Sequence, residues 1–168
     1  MSFPWDGVTQ PKIAKTLKHL KDMGCTKVAG IGFCWGGWCM IKTLNMPEAK
    51  DLLVCAVSFH PALHLEQMFK GDTLALCGTA VAPMLLMPAK DDLDIKMKGS
   101  VLYDKESGSI TQALKKSQPG TEVIHFPEML HGWVSNGVLK DPAIARDSQI
   151  AIDEASKYMS RFLGGAKM

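Results

Sequence analysis

Apolar positions along this chain follow two alternating patterns. From Val8 to Met23 they recur at Ile13, Leu17 and Leu20 among lysines, which is the spacing of one helix face, and Gly24 stops the run. Lys27 to Phe33 is a short apolar run of the kind a buried strand shows, and small residues lead from it into a second helix through Trp38 to Leu44. Leu52 to Phe59 repeats the strand pattern and ends at His60-Pro61; Ala82 to Met87 and Thr121 to Phe126 repeat it again. Helices are expected between the strands, the clearest over Ile110 to Lys116. The last helix has Asp141 as its cap and Pro142 in its first turn, and Ile144, Ala151, Ala155, Met159 and Phe162 give it one apolar face. No repeat, low-complexity run or linker interrupts the series.

Short apolar strands alternating with helices predict an α/β three-layer sandwich, a parallel sheet with helices on both faces, formed as a single domain over residues 1–168. In such sheets ligands meet the carboxyl ends of the strands, so the chemistry is expected just after each strand.

Composition narrows the partners. The 168 residues are 46% hydrophobic and 21% charged with a net charge of +2, and the lysines are scattered. That argues against a nucleic-acid groove or an anionic membrane surface as the partner. The opening M-S-F-P-W-D-G-V-T-Q has neither the basic region nor the apolar run of a signal peptide, and no segment reaches the roughly 18 unbroken apolar residues of a membrane span. The five cysteines (25, 34, 39, 55 and 77) are odd in number and form no C-x-x-C pair. They read as free, mostly buried thiols of a reducing, cytoplasmic compartment, with at most one doing chemistry.

The informative stretch is V-A-G-I-G-F-C-W-G-G, Val28 to Gly37. A dinucleotide loop requires G-x-G-x-x-G, and Trp35 stands where the third glycine belongs; nor does an acidic residue end the next strand to hold a ribose. Gly32-Phe33-Cys34-Trp35-Gly36 instead fits the nucleophile elbow, in which a strand turns sharply into a helix and lifts one strained residue above the sheet. The flanking glycines are expected to let helix and strand approach with no Cβ between them. Cys34 then sits at a helix N-terminus, which favours a thiolate, and the backbone N–H of Trp35 becomes one arm of an oxyanion hole.

A thiol nucleophile needs a base, and the base an acid, following in that order after later strands. P-A-K-D-D-L-D follows the third strand and F-P-E-M-L-H-G-W the fourth. His131 is the base of choice. His19 lies in the first helix, His60 and His64 follow the second strand, where the template places neither acid nor base, and His125 lies within the last strand. Asp91, Asp92 and Asp94 crowd one turn, and the residues alone leave the acid open among them. Phe33, Trp35, Trp38 and Trp133 are candidates for the wall of an apolar pocket.

Together G-F-C-W-G-G, A-V-S-F-H-P, P-A-K-D-D and H-G-W-V-S-N-G resemble the dienelactone hydrolase family of α/β-hydrolases, from about Trp5 to Phe162. The resemblance implies Cys34 as nucleophile, His131 as base and Asp92 as acid, with a small carboxylic ester or lactone as substrate and neither metal nor cofactor. It covers only the C-terminal part of the family's fold. The N-terminal part would supply four strands, a second oxyanion donor, and a glutamate and arginine that manage the resting cysteine. Ser135-Asn136 stands where the family often has arginine, and Pro88 where glycine is commoner.

Without the N-terminal strands, the strand Lys27 to Phe33 is expected to expose one edge and to favour homodimerisation. Two rival readings follow: a catalytically impaired remnant of the fold that acts as a binding or interaction protein, and a redox thiol, with Cys39 one turn along the helix as the partner of Cys34.

Overall fold

The elements succeed one another much as the patterning predicts, with boundaries set by glycine, proline and capping residues. The computed structural model describes residues 5–92 and 109–164. Asp94 and the first four residues lie outside that range.

A π-helical turn (Trp5–Thr9), wound more widely than an α-helix, precedes α1 (Gln10–Asp22), so the regular α-helix begins later than the apolar stripe suggests. Gly24, at φ +85°, ends it in the left-handed region where glycine carries no Cβ penalty. Then follow β1 (Val28–Phe33), α2 (Trp35–Thr43), β2 (Leu53–Phe59), α3 (Leu65–Met68), α4 (Thr73–Gly78) and β3 (Met84–Met87). After residue 108 come α5 (Ser109–Ser117), β4 (Glu122–Val123), α6 (Trp133–Asn136) and α7 (Pro142–Leu163). The Asp141 carboxylate accepts from Ala143 N–H at 2.8 Å and caps α7 as expected.

The four strands form one parallel sheet in the order β1-β2-β3-β4. Phe33 is level with Phe59, and Phe59 with Met87, so three strands deliver their next residues to one end of the sheet. The fourth differs from the run Thr121 to Phe126. Only Glu122 and Val123 form the strand, and pairing resumes as a single bridge between Ala89 and Phe126. His125 therefore lies beyond the strand, not within it.

Period-two alternation sends side chains of every inner strand into two separate cores. Leu53, Ala56, Met84 and Leu86 pack beneath Leu17 of α1, Trp38 and Ile41 of α2, and Ile110 and Leu114 of α5. Cys55, Val57, Phe59, Leu85 and Met87 face Ala151, Ala155 and Tyr158 of α7 on the other side. The fold is thus the expected α/β sandwich with helices on both faces. Cys39, Cys55 and Cys77 are buried, and all five cysteines are free. No described helix is long and apolar enough to cross a membrane.

β1 is an edge strand among the described residues, pairing only with β2. Its composition is that of an interior strand, with neither lysine nor proline, and it leaves Ile31 49% and Phe33 42% exposed.

Candidate active site

The bend after β1 is built by sterics at two glycines. A Cβ on Gly32 would lie 2.3 Å from the Gly36 carbonyl oxygen, so the first turn of α2 lies directly on the strand. A Cβ on Gly37 would lie 2.0 Å from Ser58 Oγ on β2. A Cβ on Gly36 meets nothing within 4 Å. Gly36, expected to serve close approach, is therefore replaced in that role by its neighbour, because the helical turn aims Gly37 at the sheet.

Between these contacts Cys34 takes φ +52° and ψ −118°, a strained conformation for a residue with a side chain. Three backbone bonds hold it: Cys34 N–H to Phe59 O at 3.1 Å, and Gly37 and Ala62 N–H to Cys34 O at 2.9 and 3.2 Å. The thiol is half-buried at the N-terminus of α2, and Trp35 opens that helix directly after it.

The loops after β3 and β4 are stitched together by both aspartates. His131 Nδ1 lies 2.5 Å from Asp92 Oδ1, and the other carboxylate oxygen accepts from Ala89 N–H at 2.7 Å. A carboxylate can only accept, so Nδ1 carries the proton and Nε2 is left as the basic nitrogen. Asp91 accepts from the His131 backbone N–H at 2.7 Å, and Lys90 N–H donates to Met129 O at 2.9 Å. One aspartate thus holds the ring and the other holds its backbone. Asp92 is fully buried, and burial pushes its carboxyl above the ordinary range, while its hydrogen bonds from His131 and Ala89 act in the opposite direction.

Among the described residues no hydrogen bond joins the Cys34 thiol to the His131 ring. Beside the His131 ring lies His60, which follows β2 and for which the elbow template has no use. Its imidazole is fully buried, its centroid lies 4.8 Å from that of His131 in an edge-on arrangement, and it is 6.1 Å from the Phe33 ring. Burial, assisted by the charge of His131, drives the His60 pKa down to about 4. His64 lies nearby with its pKa also lowered, chiefly by burial. The signal for His60 in the sequence was a polar side chain ending an otherwise apolar run.

The aromatic candidates separate. Phe33 stacks on Phe59 at 4.8 Å, and Trp35 is 36% exposed at the mouth of the site. Trp38 is buried, donating from Nε1 to Glu66 Oε2 at 2.7 Å, so it belongs to the core and not to a pocket wall. Trp133 is buried with its ring 4.5 Å from Phe126 and its indole N–H unpartnered. It also lines a hollow of about 490 Å³ that opens beside His131, with Met129, Leu130, Val138 and Ile144. Cys39 is buried and its thiol is pushed up to about 12, which makes it a poor redox partner for Cys34.

No curated protein and no solved structure matches the chain. The model of the dienelactone hydrolase family matches residues 7–162, nearly the whole length, and the chain belongs to that family.

Proposed function

We propose that the protein hydrolyses small carboxylic esters or lactones through Cys34, His131 and Asp92. The observation that carries this reading is the Asp92–His131 pair, 2.5 Å apart, at the same sheet end as a strained cysteine opening a helix. His131 Nε2 takes the thiol proton and Cys34 sulfur attacks the carbonyl carbon. The oxyanion forms beside Trp35 N–H. As the intermediate collapses, the ester C–O bond breaks and the alkoxide leaves with the proton held by His131. Water, deprotonated by the same imidazole, then cleaves the thioester, releasing the acid and restoring the thiol. Asp92 keeps the ring in the required tautomer. Phe33 and Trp133 border the substrate, the second through the apolar hollow beside His131, which suits an apolar substituent. The chemistry calls for neither a metal nor a cofactor.

The test compares p-nitrophenyl acetate hydrolysis by the native chain and by Cys34→Ala. Loss of turnover in the variant is expected; equal rates refute the reading. A second reading, a hydrolase-fold binding protein without turnover, is favoured by the open apolar edge of β1. Under it, neither protein turns over ester, while the edge still recruits a partner.

A further inference from the structure

His60 is a buried side chain at this end of the sheet that the proposed mechanism leaves unused, and it is held more tightly than a spectator requires. Its backbone adopts φ +36°, a conformation costing on the order of 1–3 kcal/mol for a residue with a side chain. The His60 N–H bond to Met87 O at 2.9 Å continues the β2–β3 ladder through this strained residue. Because Phe33 and Phe59 are level, the two strained residues that follow them, Cys34 and His60, stand side by side.

The ring of His60 is then fixed from three directions. Phe33 lies on one flank at 6.1 Å, His131 meets it edge-on at 4.8 Å, and Ser135 Oγ comes within 3.4 Å of Nε2. Ser135 belongs to α6, three residues beyond Gly132, whose carbonyl its hydroxyl also reaches at 3.3 Å. The loop that carries His131 is thereby tied to β2 as well as to the aspartates. His131 Nδ1 is pinned by Asp92, which fixes one end of that ring but leaves rotation about the Nδ1–Asp92 line. The edge-on imidazole of His60 is what lies against the rest of it.

We propose that His60 is a positioning residue: its buried ring sets the tilt of His131 and so directs His131 Nε2 toward the Cys34 thiol. This rests on the Cys34–His131–Asp92 reading above. The charged and titratable groups around His60 are His131 and Asp91 from the loops after β4 and β3. A neutral His60 adds no second cation beside the imidazolium that forms on His131, and its burial keeps it neutral at physiological pH.

The test uses three variants of the full chain: His60→Asn, which tolerates positive φ but removes the ring, His60→Phe, which keeps a ring, and Ser135→Ala, which removes the tether. Two readouts are taken: kcat and KM for p-nitrophenyl acetate, and the rate at which iodoacetamide modifies Cys34 near pH 7, followed by peptide mass. Misplacing a reacting group by about 1 Å costs about 10²-fold, so His60→Asn should lose that much in kcat with KM within about twofold. His60→Phe should recover most of it and Ser135→Ala should lose a few-fold. Cys34 modification should slow both in His60→Asn and in His131→Ala. A His60→Asn variant with native kcat, or a His60→Phe variant as impaired as His60→Asn, overturns the proposal. Should His60→Asn fail to fold, Ser135→Ala decides by the same two rates, and native values overturn it. If modification of Cys34 is native-like in His131→Ala itself, the triad reading fails; if it slows there but not in the His60 and Ser135 variants, only the positioning role fails.

Discussion

The two glycines that flank Cys34 at equal sequence distance make opposite predictions, which tests the account of the bend directly. In Gly32→Ala the added methyl would lie 2.3 and 2.4 Å from the Gly36 carbonyl oxygen and carbon, and 2.7 Å from Gly37 N. Carbon contacts are comfortable near 3.5–4.0 Å, and all three atoms are backbone, so no rotamer change relieves the overlap. The first turn of α2 must move by about 1 Å, which strains it at a cost of about 1–3 kcal/mol. In Gly36→Ala the methyl meets nothing within 4 Å and the residue lies in a helix. Here the loss of backbone freedom in the unfolded chain and the better helix propensity stabilise by about 0.5–1 kcal/mol. The two variants should therefore straddle the native protein by about 1.5–4 kcal/mol in total. Equilibrium urea unfolding followed by tryptophan fluorescence reads this out, with the buried Trp5 and Trp38 as reporters. At a denaturant slope of about 1–3 kcal/mol per molar the midpoints should separate by roughly 1 M. Gly32→Ala with native stability, or Gly36→Ala as damaged as Gly32→Ala, would refute the steric explanation of the elbow.

Other expectations follow from the site and the sheet. Asp92→Asn should lower esterase kcat by about 10²–10⁴-fold with little change in KM, because an amide no longer fixes the His131 tautomer; native kcat would remove Asp92 from the mechanism. Asp91→Asn, which keeps an oxygen to accept from His131 N–H, should stay within about tenfold of native kcat, measured alongside, since the amide retains that bond in a neutral, somewhat weaker form. Stability should fall as pH drops from about 6.5 toward 4: the folded-state value of His60 is depressed, so its contribution is present above 6.5 and lost on acidification. The gap amounts to roughly 3 kcal/mol. Asp92 acts the other way, its raised value favouring the folded state in acid, so urea midpoints of native protein and His60→Asn should be compared across that window; parallel curves would exclude His60 as the source. Self-association through β1 is expected at micromolar concentration, and Ile31→Lys should weaken it in analytical ultracentrifugation; a native monomer throughout would refute the edge as an interface.

The elbow and the order of its partners were legible because they rest on local demands: a glycine where backbone meets backbone, a cysteine between strand and helix, a histidine after the last strand. What a single sequence leaves open is decided by long-range closure. Asp91 and Asp92 are chemically identical neighbours, and only the return of the loop carrying His131 gives one the ring and the other the backbone. Gly36 and Gly37 are likewise distinguished only by which of them the helical turn aims at Ser58. His60 was discounted by its place along the chain, yet level strand ends set it beside Cys34 and under His131. Trp38 and Trp133 carry the same indole as Trp35, and burial follows from the neighbours each finds, Glu66 for one and Phe126 for the other. β4 is shorter than its apolar run, its regular ladder ending at Val123, although the N–H groups of Ile124 and Phe126 still donate to Leu86 O and Pro88 O at 2.9 and 3.0 Å.

The one-sided pairing of β1 sets a gradient of restraint across the site. Val28 and Cys34 donate inward to β2, so by alternation Ala29, Ile31 and Phe33 point their N–H groups outward. These amides should exchange with solvent deuterium well ahead of those at the centre of the sheet, on β2 and β3. The thiol thus follows a strand paired on one side only, whereas Asp92 is anchored behind a strand hydrogen-bonded on both sides. Whatever zips onto that free ladder stiffens the nucleophile before it touches the acid or the base.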